Sequence, residues 1–204
     1  TNNRATAIAN ELKLVDGRYE IDFEALEQDF RDPMVRAMIL CSPHNPVGRV
    51  WSPEELTRMG KLALSEKVPV ITDEIHCELL YKGQRHYPFA SLSEDFLMNS
   101  VTCMAPSKTF NLAGLRSAFA VIPNESLRVK FNEARVGLMG GVGLFGYVAM
   151  EAAFRYGDEW LEQVMAYIEG NRDFAIEYLR ENVPKIVPIK PDGTCLLWLD
   201  CRRL

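Results

Sequence analysis

No CxxC pair, no basic tract and only three histidines occur in this 204-residue sequence. Each absence excludes something. Without Lys and Arg clustered among aromatics, and with a net charge of −5 and a pI near 5.3, the chain offers no polyanion surface, so no nucleic-acid partner is expected. No run is long and apolar enough to span a bilayer, so no membrane partner is expected either. The opening residues, TNNRATAIANELK, lack the basic-then-apolar order of a signal peptide. The five cysteines, Cys41, Cys77, Cys103, Cys195 and Cys201, are odd in number. Cys41 and Cys103 sit in apolar runs, where a thiol behaves as a small hydrophobe. A structural role outranks disulfide or metal binding, and a reducing cytoplasm is the expected location. His44 and His86 have no metal-ligand spacing, and no metal is expected.

The chain does hold enough apolar residues for a sizeable core: 48% against 25% charged. That suits one large domain, or one plus part of a second. LVDGRYEID at 14–22 carries an Asp-Gly turn signal and reads as a hairpin. FEALEQDFRD has helical spacing at Phe23, Leu26 and Phe30. A strand–loop–helix pattern follows. VRAMILC at 35–41 ends in SPHNPVG, and WSPEELTRMGKLALSEK then opens a helix with Ser52 as N-cap, Pro53 at its first position and Glu55 closing a capping box. Its buried stripe is Leu56, Met59 and Leu62 or Ala63. VPVIT at 68–72, VTCMA at 101–105 and SAFAVI at 117–122 are further short apolar runs. Such runs separated by helices predict an α/β fold whose mostly parallel sheet is covered on both faces. Beyond residue 124 the pattern turns helical, with Leu161, Val164, Ile168, Ala175 and Leu179 along one long helix ending before Pro184. VGLMGGVGLFG at 136–146 follows neither GxGxxG nor P-loop order and reads as a helix break or a close-packed, mobile segment. Phe145, Tyr147, Phe154 and Trp160 are expected in the core. The tail, IVPIKPDGTCLLWLDCRRL, reads as the start of a separate β-containing layer.

In open α/β sheets ligands sit beyond the carboxyl ends of the strands. Asn45, Asp73 and Lys108 each follow a different apolar run, so parallel neighbours would gather an amide, a carboxylate and an amine at one edge. Each also has a plainer reading. Asn45-Pro46-Val47-Gly48 is a good turn, Asp73 could cap a helix, Lys108 could be solvated, and Arg116 could be a surface charge. A buried lysine, by contrast, must be paired, neutralised or covalently used.

HNPVG, ITDEIH and APSKTFNLAGLR together resemble the large domain of fold-type I pyridoxal-phosphate enzymes, the aminotransferase class I/II superfamily. HNPVGRVWSPEEL, DEIH and PSKTFN are most similar to its cystathionine β-lyase branch. The resemblance implies pyridoxal 5′-phosphate as cofactor, a small amino acid as substrate and a homodimer. It implies that Lys108 forms the aldimine and then acts as general base, its burial favouring the free amine. Asp73 would hold the pyridine nitrogen protonated, Asn45 would bond the phenolic oxygen, and Arg116 and Ser107 would take the phosphate. His76 falls where many aminotransferases carry a tyrosine, which favours the lyase. Arg116 stands where lyases of this type often have glutamine, which favours an aminotransferase. His86 is expected in a loop near the site mouth. The family's proteins run to about twice this length. The resemblance therefore implies a partial cofactor-binding domain over 1–165, with a linking helix and the start of a small C-terminal α+β domain over 166–204. Three functions follow: a C–S β-lyase acting on cystathionine or cysteine conjugates, an amino-acid aminotransferase, or a fragment or regulatory module without activity of its own.

Overall fold

The computed structural model describes residues 5–138 and 140–204. The reading of the first residues as no leader falls partly on 1–4, and Met139 of the glycine-rich stretch also lies outside the described residues. Asp16 and Gly17, at φ 49° and 78°, make the turn between β1 (Lys13–Val15) and β2 (Arg18–Glu20), which pair antiparallel as the Asp-Gly signal implies. Helix α1 (Phe23–Arg31) starts at Asp22, whose carboxylate accepts from Ala25 N at 3.1 Å. Helix α2 (Pro53–Ser65) has the anticipated capping box: Ser52 accepts from Glu55 N at 3.2 Å, and Glu55 accepts from Ser52 N at 2.8 Å. Its inward stripe is Leu56, Met59, Gly60 and Ala63.

Four strands form the central sheet in the order β3 (Met38–Cys41), β4 (Val70–Asp73), β5 (Ser100–Met104), β6 (Phe119–Val121). The first three run parallel, and β6 runs antiparallel to β5. Strand polarity is not encoded in an apolar run, so the direction of β6 appears only in the structure. One face of this sheet is well packed: Leu40 and Val70 join Leu26, Phe30, Trp51, Leu56, Met59, Phe89 and Phe96 in one core. Phe96 comes from α3 (Glu94–Met98) and stacks on Phe89 at 5.1 Å. The expected cover of both faces is uneven, since Ile39 on the edge strand β3 is 75% exposed.

Helices α4 (Glu125–Arg135), α5 (Leu144–Tyr156) and α6 (Asp158–Asn182) follow. Residues 136–143 separate α4 from α5, so the glycine-rich stretch does break the helix. The five residues expected along the inner side of α6 are all partly buried. Phe145, Tyr147, Phe154 and Trp160 are not core residues, however: all four are exposed on this chain. Phe154 and Trp160 nevertheless meet the Phe110 ring, at 5.7 and 6.0 Å. Apolar identity says that a side chain seeks cover, not that these 204 residues supply it.

Helix α6 runs unbroken through residue 165 into the hairpin of β7 (Val187–Ile189) and β8 (Trp198–Asp200). The loop between these strands is docked on the sheet domain. Gly48 O accepts from Asp192 N and Gly193 N at 2.8 and 3.0 Å, and Thr194 N donates to Leu79 O at 2.7 Å. Gly48 sits at φ 73°, and a Cβ there would lie 2.2 Å from Pro191 Cβ. Both its conformation and its closeness to the tail require glycine. Asp192 takes a two-pronged bond from Arg18 and lies 3.5 Å from Arg49, which in turn grips Glu55.

Candidate active site

The carboxyl edge of the sheet is built around Asp73. It ends β4 and is paired in register with Cys41 on one side and Cys103 on the other. The ladder continues past it, with Ser42 N donating to Asp73 O and Glu74 N to Cys103 O, both at 3.0 Å. Asp73 Oδ1 accepts from Ile75 N at 3.3 Å, a local turn rather than a helix cap. Burial pushes the Cys41 and Cys103 thiols up, and the Asp73 charge pushes each further.

Asn45 follows β3 in a loop anchored by Cys41. The thiol bonds Pro43 O and receives Asn45 N, both at 3.3 Å, while Cys41 O takes the Trp51 indole N–H at 2.9 Å. His76 lies in the turn after Asp73 and is buried, with Nδ1 lacking a hydrogen-bond partner. Burial holds its imidazole below the ordinary value; Asp73 pulls it upward and the Lys108 ammonium pushes it further down.

Lys108 stands four residues past β5 in a tight turn, where Phe110 N bonds Pro106 O at 2.9 Å and Leu112 N bonds Ser107 O at 3.1 Å. Its neighbours Pro106 and Thr109 are buried and hold the turn down. Lys108 itself is exposed, which corrects the expectation of a buried amine. The described residues of this chain do not roof Lys108. Arg116 is also exposed and adopts φ 49°, ψ 40° after a single 3-10 turn. That left-handed conformation costs a non-glycine residue roughly 1–2 kcal/mol and marks positions worth a functional explanation. Because β6 runs antiparallel, the segment preceding it starts at the edge where β5 ends. The structure therefore gathers Asn45, Asp73, His76, Ser107 and Lys108 at one sheet edge, with Arg116 on the same connecting segment.

Two residues escaped the sequence reading. Cys41 looked like strand filling, yet it ties down the Asn45 loop. Glu74 is fully buried, and the adjacent acidic pair in DEIH was the available signal. His86 is a loop residue, as expected, but its ring is buried rather than open at a mouth, with Nε2 2.8 Å from Glu74 Oε2. A separate cavity of about 300 Å³ is lined by Arg18, Arg49, Tyr81, Arg172 and Asp192 and includes none of the six site residues. Arg18, Arg49 and Arg172 are already engaged by Asp192, Glu55 and Glu169 respectively, and Lys82 and Lys190 also line the cavity.

The donors at the sheet edge suit an anionic ligand. Neither Lys108 nor Arg116 has an ion pair among the described residues, and His76 Nδ1 awaits a partner. Residues 6–204 match the model of the aminotransferase class I and II family. The chain belongs to that family. Among aminotransferase class I/II proteins it is 49% identical over 193 residues to cystathionine β-lyase PatB of Bacillus subtilis, covering 94% of this chain and 50% of that one. It is 33% identical over 197 residues to cystathionine β-lyase of Corynebacterium glutamicum, covering 93% and 52%. Its fold is similar to that of cystalysin from Treponema denticola, which contains pyridoxal 5′-phosphate, with a TM-score of 0.94, 34% identity and coverage of 98% and 51%. The chain spans about half the length of these relatives.

Proposed function

We propose that the full-length protein carrying this sequence is a pyridoxal-phosphate-dependent C–S β-lyase. It would cleave cystathionine or a cysteine conjugate and, with water, give a thiol, pyruvate and ammonia. The observation that carries this reading is that a chain 49% identical to a cystathionine β-lyase brings Asp73, His76 and Lys108 to the carboxyl edge of one sheet. The bound cofactor supplies an aldehyde for amines and a pyridinium ring that draws electrons from the substrate Cα. Lys108 Nζ is the amine offered to that aldehyde and, when free, the base for the Cα proton. Asp73 keeps the proton on the ring nitrogen. Asn45 and His76 bind the phenolic oxygen, while Arg116 and Ser107 hold the phosphate.

One observation favours a second reading. Arg116 is the residue usual in aminotransferases, where Lys108 would return the proton to the cofactor instead of driving loss of the β-substituent. Incubating the full-length protein with cystathionine separates the two. Thiol release without added keto acid supports the lyase; keto-acid-dependent amine transfer without thiol release overturns it. The exposure of Asn45, Lys108 and Arg116 further supports the view that residues 1–204 alone hold the cofactor poorly and turn over little. A cofactor absorbance band lost on Lys108→Ala, with full turnover by these 204 residues, would contradict that. We place the full-length protein in the cytoplasm as a homodimer whose second copy helps to close the site. The free state of all five cysteines is consistent with that reducing location. A split near residue 165 is retained only as a division of labour, cofactor domain before and linking helix after.

A further inference from the structure

Glu74 is the most costly side chain near the site, and the chemistry above does not use it. Its carboxylate is entirely removed from water, where an unpaired charge is strongly unfavourable. Two groups engage it: His86 Nε2 at 2.8 Å from Oε2, and Phe89 N donating to Oε1 at 3.1 Å. Both donors belong to the segment 85–91, which is itself locked by the stack of Phe89 on Phe96. The backbone of Glu74 is pinned as well. Its N–H donates to Cys103 O on β5, and its C=O accepts from Cys77 N, each at 3.0 Å. Asp73 lies one residue before Glu74 and His76 two after, so the residue joining them is fixed at both main-chain groups and at both carboxylate oxygens.

We propose that Glu74 and His86 form a buried clamp that positions the Asp73–His76 turn against the cofactor. The idea rests on the cofactor site described under Proposed function. Successive residues at a strand end point to opposite sides, so Asp73 faces away from Glu74, which enters the protein toward segment 85–91. Neither Glu74 nor His86 touches the cofactor; they act through Asp73 and His76. Such supporting contacts govern how well a site is held in its productive geometry.

The test uses the full-length protein and pyridoxal phosphate titration followed by cofactor absorbance. His86→Leu removes the donor to the carboxylate and is expected to weaken cofactor binding about tenfold, a shift typical of coupled neighbours. His86→Gln, whose amide nitrogen can reach the Nε2 position, is expected to return affinity to within about threefold of wild type. In an Asp73→Asn background, His86→Leu is expected to add less than about twofold, because its effect passes through the Asp73 turn. Wild-type affinity in His86→Leu overturns the clamp. So does an equal loss with and without Asp73→Asn, which would mark the pair as merely structural. If His86→Leu does not fold, Glu74→Gln decides, since it keeps an acceptor for Phe89 N. A binding loss of about threefold or more that Asp73→Asn abolishes supports the clamp, and unchanged affinity overturns it. The outcomes are separable from the parent reading. A wild-type protein with no Lys108-dependent cofactor band removes the site itself, whereas a normal band with unmoved variants removes only the clamp.

Discussion

Helices α2 and α6 look alike as amphipathic segments, yet they end up in different surroundings. Of the 13 residues of α2, Leu56, Met59, Gly60 and Ala63 are buried; of the 25 in α6, only Arg172 is. Helix α4 buries none and α5 only Gly146. The first half of the chain therefore owns its core, while α4–α6 present aromatics such as Phe145, Tyr156 and Phe174 to solvent. Helices of this kind draw most of their stability from tertiary packing rather than from propensity. Stability should thus be concentrated around α2, β3 and β4, with α4–α6 held more by local terms.

The largest expected effect tests that contrast directly. Phe96→Ala removes a ring stacked on Phe89 and should cost about 3–5 kcal/mol, whereas Tyr167→Ala on exposed α6 should stay within about 0.5 kcal/mol. Urea unfolding of both variants measures the difference, and equal losses would break the comparison. A second pair should differ in sign. A Cβ at Gly60 would meet the Phe96 ring at 2.5–2.7 Å, while at Gly170 it would meet nothing within 4 Å. Gly60→Ala should destabilise by about 1–3 kcal/mol through overpacking, and Gly170→Ala should stabilise by up to about 1 kcal/mol through helix propensity. Thermal melts check both.

Caps should erase the contrast, because they are local. Ser52 caps α2 and Asn124 caps α4 through Leu127 N at 3.2 Å. Replacing either by Ala should cost about 1 kcal/mol despite their unequal surroundings. A markedly smaller loss at Asn124 would mean that α4 is not formed cooperatively with the rest. A further effect is read by pH. Burial first, then the charges of Glu78 and Glu74, push the Cys77 thiol up to about 12. The native state then holds this proton where the unfolded chain, with an ordinary thiol, has lost it. Stability should fall as pH rises from about 9 toward 12, and Cys77→Ala should flatten that slope. At pH 8, exposed Cys195 and Cys201 should react with a thiol reagent well before Cys77.

Much of this was legible in the residues because it is local. The Asp16-Gly17 turn, the Ser52–Glu55 box, the strand end carrying Asp73 and the turn carrying Lys108 are each dictated by a few neighbouring residues. What stayed hidden depends on distant partners. The direction of β6, the burial of His86 against Glu74 and the docking of 191–194 on Gly48 are contacts between segments whose meeting no periodicity announces. The same holds for exposure. Lys108 was expected to be buried, and Phe145, Tyr147, Phe154 and Trp160 to be core, because chemistry states a need for cover without naming what provides it. Order and spacing name the candidate site residues; the contacts that hold them in place are not written there.

The docked loop at 191–194 has a consequence in time. Asp192 completes an ionic cluster with Arg18 and Arg49, and its partner glycine at 48 leaves no room except for that tail. During synthesis at roughly 5–20 residues per second, Arg49 would wait several seconds to tens of seconds before Asp192 is made. Until then Glu55, Tyr19 O and the Trp51 ring hold its guanidinium, and the groove beside Gly48 stays open on the nascent chain. Residues 191–194 therefore add the second tie between the first hairpin and the sheet, long after the first is made.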